Sequence, residues 1–273
     1  MNKTIGEEAR GLLALDSKVG LLGTTDDEGC PHLTFLSSLH GLGENRVIFG
    51  QFCTGLGKDF LRRRPDCAFL ALSADMRWVR GSARFVSTSK TGPEFDMYNN
   101  KPLFRYNAYF GVNTVWYLDL LGIADVQKLP APKIGLGALL SRAYAPFSAK
   151  SENSALTAFG QALFTAIGGP KFLCYAGENG LVIVPVVQAA CAGTDRVVIS
   201  GLPFGQDLKG LMPGTPVCVM ALNLDMQSVL VKGTCTGKKG AYVIEIERVY
   251  NSMPPASGYI YPKAAGPEAV TAF

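Results

Sequence analysis

Apolar positions in this chain come in short runs broken by Gly, Pro and acidic turns, the pattern of many strands rather than long helices. The stretch VGLLGTTDDEGCPHLTFLSSL holds two such runs around Asp26-Asp27-Glu28-Gly29, a hairpin signature closed by glycine. Val47-Ile48-Phe49 predicts another strand, Cys67–Leu72 the next, and Trp78-Val79-Arg80-Gly81-Ser82-Ala83 a third. Val115–Leu121 returns as a strand. Helices are fewer: residues 6–15 read as a short amphipathic one, and Pro93-Glu94 marks the start of another. The segment KLPAPKIGLGALLSRAYAPFSAKSENSA, with three prolines, reads as a boundary. The division expected is a first domain over 1–130, a linker over 131–152 and a second domain over 153–273.

After that boundary the pattern starts again. Arg46-Val47-Ile48 is echoed 150 residues later by Arg196-Val197-Val198. Ala71-Leu72-Ser73-Ala74-Asp75-Met76 is echoed at the same spacing by Ala221-Leu222-Asn223-Leu224-Asp225-Met226. Val79-Arg80-Gly81-Ser82 finds its counterpart in Val231-Lys232-Gly233-Thr234, the Gly29 turn in Glu178-Asn179-Gly180, and VWYLDL in Tyr242–Ile246. Collinear echoes of this kind indicate a tandem duplication. The copies part where charge is concentrated: TGLGKDFLRRRPD in the first becomes roughly PFGQDLKGLMPGT in the second, which keeps one lysine, Lys209.

Composition agrees with short strands and tight turns: 48% hydrophobic, with 31 Gly and 16 Pro in 273 residues. The net charge of +4 is modest and its basic residues are bunched, which suits a small anionic ligand better than nucleic acid. Seven cysteines without a C-x-x-C pair, and no signal peptide, lead us to expect a reducing cytoplasm and mostly buried thiols. No apolar run reaches the roughly 18 residues of a membrane span.

The candidate chemistry lies between Arg46 and Phe85. A strand leads into a loop with Gly50, Gly55 and Gly57, where Thr54 and Lys58 supply a hydroxyl and a cation, and Arg62, Arg63 and Arg64 follow. Such a loop suits phosphate, with a plain polar loop and solvated basic helix as the other reading. It is not a nucleotide P-loop: Phe52 stands where that motif needs glycine, and Asp59 where it needs Ser or Thr. Two histidines without companion Cys or carboxylate spacing make no metal site. His40 reads as structural, while Trp78, Trp116 and the aromatic run Tyr106–Tyr117 read first as packing. Neither a Ser-His-Asp order nor a G-x-S-x-G elbow supports hydrolysis.

The segments EGCPHLTFL, TGLGK with RRRPD behind it, and WVRGSARF followed by GPEF resemble the FMN-binding split barrel of the pyridoxamine 5′-phosphate oxidase-like superfamily, and most closely its small FMN-binding proteins. The resemblance covers most of residues 7–125, and the second copy shares the fold without the ligand motif. It implies tandem six-stranded Greek-key split barrels, mostly β with flanking helices, forming an intramolecular pseudo-dimer. It implies FMN at the interface, with the phosphate held by Thr34, Ser37, Ser38, Gln51, Thr54 and Lys58. The flavin ring would lie along Phe35, Leu36 and Phe52, edged by His32 and bordered by Arg77 or Trp78. Lys58 precedes Leu61 by three residues where the family lysine stands four before the helix leucine, so one of Arg62–Arg64 could share its role. The activity implied is that of an FMN-dependent oxidoreductase or electron carrier, with an electron donor or small-molecule substrate as partner. A flavin-storage or sensing module is the alternative, and relatives of the fold also bind F420 or haem. Substrate-binding residues of vitamin B6 oxidation are not recognisable. One FMN per chain is expected, and whole chains could still pair.

Overall fold

The structure is a computed structural model describing residues 1–101, 111–148, 153–223, 225, 227–237, 240–251 and 258–262. Residues 106–110 of the aromatic run, 149–152 of the expected linker, and Leu224 and Met226 of the repeat lie outside the described residues. The chain divides into two compact units: Met1–Glu28 with Thr34–Leu129, and Gly29–Leu33 with Pro130–Phe273.

The first barrel opens with helix α1 (Glu7–Ala14) and strand β1 (Lys18–Thr25), then β2 (Pro31–Phe35), whose first three residues belong to the second unit, β3 (His40–Leu42) and β4 (Arg46–Gln51). Helix α2 (Leu56–Arg63) leads to β5 (Asp66–Ser73) and β6 (Arg77–Ser89); α3 (Pro93–Asn100), β7 (Thr114–Ile123) and the two-residue β8 (Gln127–Lys128) complete it. The sheet order is β2-β1-β5-β6-β7-β4-β3, with β8 beside β6. Its two edge strands, β2 and β3, are consecutive in the chain, so the short loop between them ties the edges together and the sheet curls into a barrel. Leu22, Phe49, Phe69, Val79 and Trp116 fill it.

The second unit repeats this plan. After helices α4 (Ala131–Ser148) and α5 (Ala158–Thr165) come β9 (Lys171–Gly177), β10 (Gly180–Pro185), β11 (Ala190–Ala192) and β12 (Arg196–Ser200). Then follow β13 (Pro216–Leu222), β14 (Ser228–Gly237), β15 (Ala241–Asn251) and β16 (Gly258–Tyr261), in the order β10-β9-β13-β14-β15-β12-β11 with β16 beside β15. Each sheet therefore has eight strands where six were expected; the additions are short edge pieces. The 150-residue spacing survives in single hydrogen bonds. Leu39 N donates to Leu36 O as Ala189 N does to Val186 O, and Phe85 N to Pro65 O as Cys235 N does to Thr215 O. Both first hairpins turn on a glycine at positive φ, Gly29 at 84° and Gly180 at 108°.

Most of the expected linker is α4. Its prolines were read as breakers, but Pro132 stands in the first turn, where a missing N–H costs nothing, and Pro146 in the last. This helix packs on β11 and β12, with Ala145 against Ala192, Val198 and Ala241. In the first barrel α3 covers the matching face, with Tyr98 against Ile48 and Val115.

Candidate functional site

The site is built where β4 ends and α2 begins. Asn113 pins the intervening loop at its start: its backbone N–H donates to Gln51 O at 2.9 Å and its side chain to Phe52 O at 3.1 Å. Lys58 pins it in the middle. Its side chain is 7% exposed, and Nζ donates to Cys53 O at 2.9 Å. Burial lowers the Lys58 pKa from the ordinary lysine value, while the Cys53 thiol and the Asp59 carboxylate act to raise it. Helix α2 starts at N-cap Gly55 with no side chain capping it, so its first N–H groups and partial positive end favour an anion there.

Spacing on α2 places Lys58 and Arg62 on one helix face, since residues four apart are neighbours. Arg62 lies over the Trp116 ring, Cζ 4.9 Å from its centroid. Trp116 Nε1 in turn donates to Gln51 Oε1 at 2.7 Å. Lys58, Arg62, Gln51 and exposed Thr54 thus gather donors around one loop, three of them from elements that the barrel holds in place.

The other basic residues do different work. Arg63 makes a bidentate pair with Asp27, at 2.9 and 3.0 Å, and Arg64 donates to Asp27 O at 2.9 Å. They fasten α2 to the first hairpin rather than sharing the role of Lys58. The sequence could not show this, because Asp27 is remote along the chain.

Several expected contacts are placed elsewhere. Ser38 donates to Gly50 O at 2.7 Å and accepts from Gly50 N at 3.1 Å, so its hydroxyl is a buckle between loop and strand. The glycine at position 50 serves packing: a Cβ there would stand 2.6 Å from Val112 Cγ2. Leu36 N is spent on Gly20 O, and Phe52 packs with the Tyr98 cluster. Arg77 is engaged by Asp75 at 2.6 Å and Glu8 at 3.7 Å. Trp78 is 1% exposed with Arg80 over its ring, a core residue. His32 is buried and meets Tyr250 edge to face at 5.0 Å, both within the second unit. Phe35 and Ser37 are half-buried, and the Thr34 hydroxyl is buried with no hydrogen-bond partner among the described residues. As expected of a structural residue, His40 Nδ1 lies 3.0 Å from Leu13 O, and burial lowers its pKa.

The second barrel lacks this chemistry at every matching position. At the common spacing, Lys58 becomes Leu208, fully buried, and Thr54 becomes Phe204. Thr34 becomes Val184 and Ser37 becomes Val187. Lys209 is not the counterpart of Lys58; it follows Leu208 and is exposed, in the place of Asp59.

No family model matches the chain, and no curated protein matches it in sequence. Solved structures do. An FMN-binding protein of Syntrophomonas wolfei matches at 17% identity and TM-score 0.38, over 45% of this chain and 86% of its own. A Lactobacillus delbrueckii protein named as a candidate pyridoxamine 5′-phosphate oxidase matches at 17% identity and TM-score 0.37, over 45% and 96%. An F420 reductase matches at 13% identity and TM-score 0.36, over 44% and 98%. Each match spans one barrel's length of this chain, and the fold itself rests on the strand order and register given above. In fold, the chain is a tandem of two split barrels.

Proposed function

We propose that the chain binds FMN by its phosphate at the loop between β4 and α2, and serves as an FMN-dependent oxidoreductase or electron carrier. The observation that carries this reading is Lys58: a nearly buried ammonium that, among the described residues, donates to one backbone carbonyl, Cys53 O. A buried cation is costly unless its charge is matched, and a phosphate would match it. The uncapped start of α2, the Thr54 hydroxyl and the Arg62 guanidinium favour the same anion. Bound FMN would supply hydride and single-electron chemistry at its ring. The chain's own part is to hold the phosphate, fix the loop through Asn113 and exclude water from Lys58. Because the second barrel has Leu208 in place of Lys58, one FMN per chain is the expected load.

The test is a titration of purified protein with FMN, read by visible absorption and flavin fluorescence. Binding that disappears in the Lys58→Leu, Thr54→Ala double variant supports the site. A protein that ignores FMN, or a double variant that binds as tightly as the parent, removes the reading.

A further inference from the structure

Trp116 and Gln51 are joined by a bond whose chemistry fixes more than a distance. An indole N–H can only donate, so it selects the oxygen of the Gln51 carboxamide, at 2.7 Å, and turns the NH₂ group away from itself. Trp116 cannot swing to release it. The ring is 1% exposed, stacked on Phe49 at 5.6 Å and 10°, met by Phe85 at 4.9 Å and covered by Arg62. Phe49 pairs with Trp116 and Gln51 with Thr114, so strand alternation puts Gln51 on the same face as Phe49, a diagonal neighbour of the indole. The amide NH₂ makes no hydrogen bond among the described residues, and it lies at the start of the loop that Lys58 holds.

We infer that Trp116 is a positioning residue: it holds the Gln51 carboxamide so that its two N–H donors face the phosphate. The inference rests on the FMN reading above and adds a specific donor to it. The second barrel supports it by exchanging the set as a unit. Tyr242 takes the register position of Trp116, opposite Ile199 as Trp116 is opposite Phe49. Gly201 stands for Gln51, and Met212 for Arg62. There the aromatic hydroxyl donates to Leu208 O at 3.1 Å, a bond to backbone that orients no side chain. A tryptophan needed only for packing would not require a glutamine at its N–H.

The test compares affinities for FMN and for riboflavin, which lacks the phosphate, in the full chain. Trp116→Phe keeps an aromatic ring under Arg62 and removes the N–H, together with part of the indole's volume, a packing loss that would not distinguish FMN from riboflavin. It should weaken FMN binding about tenfold, the scale of one hydrogen bond to a charged group, and leave riboflavin binding unchanged. Gln51→Leu should do the same, and the double variant should lose no more than either single one. Gln51→Glu keeps the acceptor for Trp116 but offers the phosphate no donor, and should also lose FMN selectively, which keeps the test decisive if Trp116→Phe fails to fold. Equal weakening of both flavins, additive losses, or an unchanged preference for FMN would overturn the positioning role while leaving FMN binding intact. A parent protein that binds neither flavin would overturn both proposals.

Discussion

In the first barrel the loop after β4 is held by a buried ammonium and an oriented amide, whereas in the second the same loop is held by Leu208, Phe204 and the Tyr242 hydroxyl. The frameworks around the two loops match closely. The residue ending the apolar run of β4 or β12 has both backbone groups satisfied in each case. One serine, Ser38, serves Gly50; Gln188 and Ser141 divide the same work at Ser200, at 3.1 and 2.9 Å. Both barrels also carry a lysine at the start of the first strand, donating to the last carbonyl of the preceding helix: Lys18 to Leu15 O, and Lys171 to Ala166 O at 2.7 Å. The difference in charge is concentrated at this loop. A fold repeats because its hydrogen bonds and core must be satisfied twice, while polar groups that hold the fold up at neither end are free to be replaced by apolar ones.

Four measurements would break or sharpen this contrast. The largest effect is expected from Leu208→Lys, which puts a charge into a fully buried site with no anion to meet it; chemical denaturation should show a loss of about 4 kcal/mol. If stability is unchanged, Leu208 is not closed off from solvent as the fold shows it. The reverse change, Lys58→Leu, should weaken FMN about 100-fold, roughly 2.7 kcal/mol, without lowering the melting temperature, because it removes a buried charge rather than a packed group. Next, Ser38→Ala strands both backbone groups of Gly50 and should cost about 2 kcal/mol, while Gln188→Ala strands only Ser200 O and should cost about 1 kcal/mol. Equal costs would argue against the division of labour between Gln188 and Ser141.

The last effect is a pH slope shared by the barrels. Burial lowers the pKa of Lys18 and of Lys171 to about 8. Unfolded chains hold those protons to about pH 10.4, so between the two values the unfolded state binds more protons and stability rises with pH. The free energy of unfolding should climb from pH 8 to pH 10, and Lys18→Met with Lys171→Met should flatten the rise.

Much of the fold was legible because it is written in local pattern. Alternating apolar runs, the Asp-Asp-Glu-Gly turn and the Pro93 helix start each depend on neighbours in sequence. The helix over 131–148 was missed because prolines count as breakers until their positions in the first and last turns are known. Within the site, Lys58 and Thr54 stood out by residue type, but their partners did not. Nothing in the sequence ties Arg63 to Asp27 or Trp116 to Gln51, since each bond spans a strand order that only folding creates. Trp116 read as core, and it is; its single N–H is what gives it a second role. The one usable signal was the repeated pattern itself: at the 150-residue spacing Gln51, Lys58 and Arg62 are replaced together by Gly201, Leu208 and Met212, which marks them out as a set.

The most direct measurement is the number of FMN molecules per chain at saturation, from bound-flavin absorbance against protein concentration, in the parent and in Lys58→Leu and Lys209→Ala. The account predicts one FMN in the parent and in Lys209→Ala, and only a small fraction of one in Lys58→Leu at the flavin concentration that just saturates the parent. Two FMN per chain, or a load that survives Lys58→Leu and is lost in Lys209→Ala, would contradict it.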